Sequence, residues 1–260
     1  MKVVILCGGQ GTRLREETEV RPKPMVEIGN RPILWHLMKL YAHHGLSEFV
    51  LCLGYKAHII KDFFLNYESR VNDFTVRLGA ESGVEFHSRH PEDGWTVTLA
   101  DTGQSAMTGA RVRRVRRYLG REPFCLTYGD GLGDVNITEL LRFHRSHGKL
   151  ATVTGVRPPG RFGELMVQGA QVEVFAEKPQ VTEGFINGGF FIFEPEFIDR
   201  YLNDRDDLVL EGEPLQRLAA DGELMMWPHE GFWQPMDTFR EWKLLEDCWN
   251  SGHAPWKVWD

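Results

Sequence analysis

Short apolar runs alternate with amphipathic stretches along the first 156 residues. Residues 3–6, 49–53, 124–128 and 150–156 have the length and the β-branched or aromatic content of buried strands. Helical stripes separate them, such as residues 32–44, which end at a glycine. Strands that alternate with helices form βαβ units. The pattern therefore predicts an α/β fold with a Rossmann-like, mostly parallel mixed sheet flanked by helices.

The second half of the chain is predicted to be β-rich, and its end is aromatic. Residues 74–78, 84–88 and 96–99 alternate apolar and polar side chains, which predicts half-buried strands in an inserted or edge layer. Residues 164–193 repeat this strand-like character with glycines as turn points. Six of the eight tryptophans lie in the last 34 residues, which predicts a tail that docks on the body or on another subunit.

Length, charge and cysteine usage exclude several classes of protein. A chain of 260 residues fits one α/β domain with a small appendage. A net charge of −7 argues against non-specific nucleic-acid binding. The four cysteines lack CxxC spacing, which disfavours a zinc ribbon or a disulfide scaffold and suits a reducing compartment. The first apolar run is too short for a signal peptide, and no segment could span a bilayer, so we expect a cytoplasmic protein without membrane contacts.

A glycine-rich loop follows the first predicted strand. Gly8, Gly9 and Gly11 let the backbone turn tightly and direct its amides toward a ligand, at the strand end where open α/β sheets bind ligands. The third glycine of the dinucleotide fingerprint is absent, and no Walker A lysine follows. A bare tight turn is one interpretation. A phosphate or nucleotide cradle is favoured, because Thr12 and Arg13 add a hydroxyl and a cation.

Three charged residues extend this candidate site. Lys23 lies between two prolines that hold its backbone extended, which favours a phosphate contact over a solvated surface lysine. Asp130 follows a predicted strand between two glycines and suits either a turn or a Mg²⁺ ligand. Asp237 is either the second carboxylate of that metal site or the N-cap of a following helix. Without metal, the two acids are expected to repel each other.

A basic cluster at residues 111–117 is predicted to be mostly the solvated face of an amphipathic helix. Arg111 is the exception. It follows Thr108 and Gly109 at the predicted helix start, and helix starts bind anions.

Several motifs resemble those of the sugar-nucleotide pyrophosphorylases, which are nucleotidyltransferases that act on sugar 1-phosphates. GGxGTRL near the N-terminus, then PKPM, and GDG after a strand carry this resemblance. The longer segments FWQPMDT and APWK resemble the glucose-1-phosphate cytidylyltransferases within the family, and the match runs nearly from end to end. Ala110 departs from the pattern where a second glycine of a TGGR motif is expected, which could limit close backbone approach near the ribose or base.

The resemblance implies a single nucleotidyltransferase domain of the glycosyltransferase-A-like kind over residues 1–260. Its parts are a nucleotide-binding half at 1–135, a sugar-phosphate-binding half at 136–230, and a segment at 231–260 with a metal-binding aspartate and a C-terminal helix and tail. It also implies a homo-oligomer that uses Mg²⁺ and makes CDP-glucose and pyrophosphate from CTP and α-D-glucose 1-phosphate. The product would feed the 3,6-dideoxyhexoses of surface polysaccharide, as in lipopolysaccharide O-antigen. A thymidylyl-, uridylyl- or guanylyltransferase, or a non-catalytic nucleotide-sensing homologue, remains an alternative.

The resemblance also assigns roles to individual residues. Arg13 and Lys23 are expected to act in catalysis, and Asp130 and Asp237 to bind the metal. The expected nucleotide-binding residues are Leu6, Cys7, Gly8, Gly9, Gln10, Gly11, Thr12, Thr108, Arg111 and Gly129. The expected sugar-phosphate-binding residues are Tyr128, Gly163, Glu177, Lys178, Asn187 and Gly188.

Overall fold

A computed structural model of the protein describes residues 1–11, 14–79, 82–157, 164–168, 171–176 and 184–259. The strands are β1 (Val3–Leu6), β2 (Glu27–Ile28), β3 (Arg31–Pro32), β4 (Glu48–Leu53), β5 (Phe74–Arg77), β6 (Gly83–Phe86), β7 (Thr96–Asp101), β8 (Phe124–Tyr128), β9 (Gly131–Gly133), β10 (Ala151–Val156), β11 (Glu164–Gln168), β12 (Gln171–Ala176), β13 (Ile186–Phe193), β14 (Leu224–His229) and β15 (Trp233–Pro235). The helices are α1 (Arg15–Thr18), α2 (Ile33–His43), α3 (Ala57–Leu65), α4 (Tyr67–Val71), α5 (Thr108–Arg114), α6 (Ile137–His147), α7 (Glu196–Tyr201), α8 (Glu213–Ala220) and α9 (Phe239–Asn250), with 3₁₀ turns at Lys23–Met25 and Arg116–Tyr118.

A seven-stranded sheet, counted over the described residues, forms the centre of the fold. Its strand order is β14-β10-β13-β8-β1-β4-β7. The pairs β1–β4, β1–β8, β4–β7 and β10–β14 are parallel, whereas β13 runs antiparallel to β8 and β10. This mostly parallel mixed sheet confirms the predicted fold class, and the strands β10 to β15 confirm the β-rich second half.

Helices cover both faces of the sheet because successive strand side chains point to opposite faces. Along β1, Val3 and Ile5 belong to one buried cluster, together with side chains of α2. Val4 and Leu6 belong to a second cluster, together with side chains of α5 and α7. The carboxyl ends of β1 and β8 therefore lie side by side at one edge of a packed core. Within the described residues, no helix has the length and apolar content that crossing a membrane requires.

The ribbon formed by β5 and β6 differs from its prediction. Phe74 pairs with Phe86, and Val76 pairs with Val84. All four side chains are at least 40% exposed, so the prediction of half-buried strands is wrong here. The alternating pattern does define an apolar face, but no described part of the chain buries it. The third predicted strand of this region is β7, which forms an edge of the central sheet.

The aromatic tail packs on the body of the same chain, as one of the two predicted alternatives requires. Trp256 is fully buried, and its indole N–H donates to Nδ1 of His36 at 3.3 Å. Nε2 of His36 lies 2.9 Å from the carbonyl of Ile28 and donates to it. Burial lowers the pKa of His36 to about 4, so the neutral ring can accept the indole hydrogen bond. Trp249 also contacts this ring, edge to face.

Trp256→Ala is expected to lower the free energy of unfolding by about 3–5 kcal/mol, the usual cost of truncating a large buried aromatic side chain. Truncation before Trp242 removes this residue and Trp259 together, and should yield insoluble or unfolded protein. Phe239→Ala is the matched control, because Phe239 is 58% exposed on α9. Urea denaturation measures the difference. Equal stability losses in Trp256→Ala and Phe239→Ala would contradict a structural role for the tail.

Candidate active site

The glycine-rich loop leaves β1 at the carboxyl edge of the sheet. The carbonyl of Gly8 accepts hydrogen bonds from the amide of Tyr55 at 3.1 Å and from the guanidinium of Arg111 at 3.0 Å. A Cβ atom on Gly8 would lie 2.1 Å from that guanidinium, so the loop leaves no room for a side chain there. Gly11 has a φ of +62°, which favours glycine. Thr12 and Arg13 lie outside the described residues.

The side chain of Arg111 is buried beneath this loop. Its guanidinium donates to the carbonyls of Leu53 at 3.1 Å, Gly103 at 2.8 Å and Gly8 at 3.0 Å, and to the hydroxyl of Thr102 at 2.8 Å. Desolvation by burial lowers the pKa of Arg111. The hydrogen-bond donors of Arg111 therefore hold the surrounding backbone in place.

Several amides at the start of α5 have backbone partners. The amides of Gly109 and Ala110 donate to the carbonyl of Leu208 at 2.9 and 3.2 Å, and the amide of Met107 donates to the carbonyl of Asp206 at 2.8 Å. A loop from the second half of the chain therefore caps these three amides. Whether Thr108 and Arg111 contact a nucleotide remains a prediction.

A second loop leaves β8 beside the first. The amide of Gly129 donates to the carbonyl of Leu6 at 3.1 Å, and a Cβ on Gly129 would lie 2.9 Å from that oxygen. Next along the chain, β9 pairs with β15. The amide of Met236 then donates to the carbonyl of Asp130 at 2.8 Å, which places Asp237 beside Asp130. The two predicted metal ligands are thus brought together by a short antiparallel ribbon.

Lys23 lies between these two carboxylates. Its Nζ is 2.7 Å from Oδ2 of Asp130 and 2.6 Å from Oδ1 of Asp237. The separation of these two carboxylate oxygens therefore cannot exceed the sum of the two distances. The lysine side chain is only 9% exposed. Burial alone would lower the pKa of Lys23, but attraction to Asp130 and hydrogen bonds to both acids outweigh it and raise the pKa.

The donor set fits a hard divalent cation. Mg²⁺ is usually held by one or two carboxylates, with substrate phosphates and water completing its octahedron. Over the part of the chain that the structure describes, no group of three or more His, Cys, Asp or Glu side chains could hold a metal alone. Asp130 and Asp237 can therefore supply two ligands, and the remaining ligands would have to come from substrate and water.

The predicted sugar-phosphate residues are only partly described. Asn187 on β13 donates from Nδ2 to the hydroxyl of Tyr128 at 3.2 Å, and its Oδ1 accepts from the amide of Gly189 at 2.8 Å. The carbonyl of Gly188 accepts from the indole of Trp233 at 2.7 Å. Gly163, Glu177 and Lys178 lie outside the described residues, so their roles stay predictions.

One acidic residue in this region was missed by the sequence analysis. Glu211 accepts a hydrogen bond from the hydroxyl of Tyr128, and its Oε2 accepts another from Thr108 at 2.7 Å. It lies in a loop between α7 and α8 with no motif around it, and no spacing signal relates it to residues 83 and 103 positions away.

These loops enclose an open cleft of about 380 Å³, within the usual range for a small-molecule site. The predicted residues that line it are Leu6, Cys7, Gly8, Gly9, Gly11, Lys23, Thr108, Arg111, Tyr128, Gly129, Asp130 and Asp237. Pro24, Ala106 and Met107 line it as well. The predicted residues Gln10, Asn187 and Gly188 are described but do not line it.

Comparisons with known proteins show the family to which the chain belongs. The family model "Nucleotidyl transferase" matches residues 2–234. The chain is 52% identical over 261 residues to glucose-1-phosphate cytidylyltransferase of Salmonella typhi, covering 100% of both chains. It is 32% identical to the catalytic subunit beta of mannose-1-phosphate guanylyltransferase of Dictyostelium discoideum, covering 91% of this chain and 62% of that one.

A solved structure of UDP-glucose pyrophosphorylase complexed with UDP-glucose has the same fold, with a TM-score of 0.69 at 13% identity, over 96% of this chain and 98% of the other. The resemblance found from the motifs is thus confirmed. This chain belongs to the nucleotidyl transferase family.

Proposed function

We propose that the protein transfers the cytidylyl group of CTP to α-D-glucose 1-phosphate and releases pyrophosphate. The observation that carries the reaction class is the convergence of Lys23, Asp130 and Asp237 beside a glycine-rich loop at the carboxyl edge of the sheet. The choice of CTP and glucose 1-phosphate is supported by the 52% identity to the Salmonella typhi protein of that name.

In the proposed reaction, a phosphate oxygen of glucose 1-phosphate attacks the α-phosphorus of CTP in line. A new P–O bond forms, the bond between the α-phosphorus and the bridging oxygen breaks, and pyrophosphate leaves with the electron pair. The attacking phosphate is already anionic near neutral pH, since the second pKa of a phosphate monoester is about 6. No general base is required, and the protein contributes positioning and charge neutralisation.

Each group of predicted site residues has a proposed role. The amides of residues 8–11, with Thr12 and Arg13, hold the departing pyrophosphate. Lys23 neutralises the α-phosphate, and Lys178 binds the phosphate of the sugar. Asn187 and Glu177 bind the sugar hydroxyls, and the proposed role of Gly163 is to supply the backbone that lies over the sugar. These assignments extend the family resemblance to positions of this chain, and the cleft lining supports those of Gly8, Gly9, Gly11 and Lys23.

Members of this family generally use a divalent metal ion. We assign that ion as Mg²⁺ and its protein ligands as Asp130 and Asp237. When bound, the ion supplies positive charge that offsets the repulsion between the phosphates of the two substrates. The two acids already lie close enough to share one cation, since both contact the same ammonium group.

The assembly is proposed to be a cytoplasmic homo-oligomer that makes CDP-glucose for surface polysaccharide. The exposed apolar face of the β5–β6 ribbon supports self-association, because an isolated two-stranded ribbon is marginally stable in water.

Pyrophosphate release measured over a panel of nucleotides and sugar 1-phosphates tests the proposed substrates. CTP with glucose 1-phosphate is expected to have the highest kcat/KM, by about tenfold or more, because a wrong base leaves buried polar groups without partners. Release from dTTP or GTP that exceeds release from CTP by the same factor would contradict the proposal. No pyrophosphate release from any pair would instead favour a nucleotide-sensing protein. As a control, pyrophosphate release must disappear in Asp237→Asn.

A further inference from the structure

The carboxylate of Glu211 forms hydrogen bonds to residues on two sides of the cleft, α5 on one side and β8 on the other. Thr108 opens α5 on the nucleotide side, and Tyr128 ends β8 next to the sugar side, and both line the cleft. The hydroxyl groups of both residues donate to the same side chain, that of Glu211. A carboxylate has two oxygens and can accept both hydrogen bonds at full strength.

The loop before Glu211 is fastened to the nucleotide wall. Its carbonyls at Asp206 and Leu208 accept from the amides at the start of α5, as described above, and the amide of Leu210 donates to the hydroxyl of Thr108 at 2.9 Å. The side chains of Leu208 and Leu210 are buried in the core. Glu211 is therefore held at the end of a well-anchored segment, although its own side chain is exposed.

The hydrogen bonds continue from Glu211 into the sugar side. Tyr128 donates to Glu211 and accepts from Nδ2 of Asn187, whose Oδ1 accepts from the amide of Gly189. One continuous chain of hydrogen bonds thus connects Asn187 to the first turn of α5.

We propose that Glu211 is a positioning residue that sets the spacing between the nucleotide subsite and the sugar-phosphate subsite. It acts by fixing the hydroxyls of Thr108 and Tyr128, without contacting substrate itself. This inference rests on the proposed function, because that function requires the two subsites to hold CTP and glucose 1-phosphate in line.

The sign of the effect separates this role from simple electrostatics. Both substrates are anions, so a carboxylate beside the cleft disfavours them by Coulomb repulsion. If charge alone mattered, Glu211→Gln would tighten binding. If Glu211 positions the walls, the same variant weakens binding of both substrates, because an amide cannot accept from both hydroxyls in the same way.

The experiment compares Glu211→Gln with Glu213→Gln in the full-length protein. Glu213 is exposed at the start of α8, pairs with Arg205 and Arg217, and gives the same change of charge two residues away. We expect KM for CTP and KM for glucose 1-phosphate each to rise about five- to tenfold in Glu211→Gln, in line with the net loss of one ordinary hydrogen bond. We expect kcat to fall as well, because the two substrates are less well aligned for attack. The melting temperature should change little, and Glu213→Gln should match the wild type. Unchanged or lower KM values in Glu211→Gln would overturn the proposal.

A mutant cycle tests whether Glu211 acts through its partners. Thr108→Val with Tyr128→Phe removes both donors, and Glu211→Gln added to this pair should cause no further loss. A fully additive loss would overturn the positioning role, because it would mean that Glu211 contacts substrate. Absence of CDP-glucose formation by the wild type would refute the proposed function itself. Product formation by the wild type with unaltered constants in Glu211→Gln would refute only the role of Glu211.

Discussion

Replacing Lys23 with methionine is expected to lower kcat by about 10²–10³-fold, as removal of a preorganised charged group from an active site commonly does. The lysine is buried at the point where two acids, the glycine-rich loop and the β8 edge meet. Lys243→Met is the control, since Lys243 is exposed on α9 and pairs with Asp247. A near-wild-type kcat in Lys23→Met would show that the phosphate role is wrong.

Metal binding gives this variant a second readout that does not depend on turnover. An ammonium group and a divalent cation repel each other when both lie beside Asp130 and Asp237, so we expect Lys23 and the metal to compete for these carboxylates. Lys23→Met should therefore bind Mn²⁺ more tightly than the wild type when no nucleotide is present. Calorimetric titration with Mn²⁺ measures this difference. Weaker Mn²⁺ binding in the variant would mean that the lysine organises the acids without competing for them.

Local sequence was sufficient to predict the features that lie within one strand and the loop after it. The apolar run of β1 and the glycines after it indicated a turn at the edge of a parallel sheet, and the structure has that turn. The same reasoning located Asp130 at the end of β8. These predictions succeeded because strand period, turn chemistry and the shared edge of parallel strands are local rules.

Features that depend on distant partners could not be predicted. Lys23 is partnered by residues 107 and 214 positions away, so the sequence suggested a phosphate contact but not a pairing with the acids. Arg111 is buried, unlike the other arginines of its cluster, and its donors are used by backbone carbonyls from three separate segments. Glu211 had no local signal, because its importance arises only when α5 and β8 form the two walls of one cleft. The burial of the β5–β6 ribbon was predicted wrongly for the opposite reason. Its alternation of apolar and polar side chains is clear, but no described part of the chain covers the apolar face.

Asp130→Asn and Asp237→Asn are each expected to abolish most turnover, by about 10²–10³-fold or more, because each removes a ligand of the proposed metal site. Turnover should also disappear with EDTA and return with Mg²⁺. Asp134→Asn is the matched control for the first variant. The side chain of Asp134 is 33% exposed against 36% for Asp130, and its Oδ1 lies 3.1 Å from Nε2 of His229 instead of beside Lys23.

The stability of these two variants tests whether the two acids only repel each other or are stabilised by Lys23. If the acids only repelled each other, either asparagine variant should be more stable than the wild type without metal. In the structure, Lys23 contacts both acids, and removing one carboxylate leaves a buried ammonium group with half of its charge partners. We therefore expect the asparagine variants to melt at or below the wild-type temperature in EDTA. Mn²⁺ should raise the melting temperature of the wild type but not that of either asparagine variant. Metal-dependent turnover that survives in either variant would show that the two acids do not share one ion.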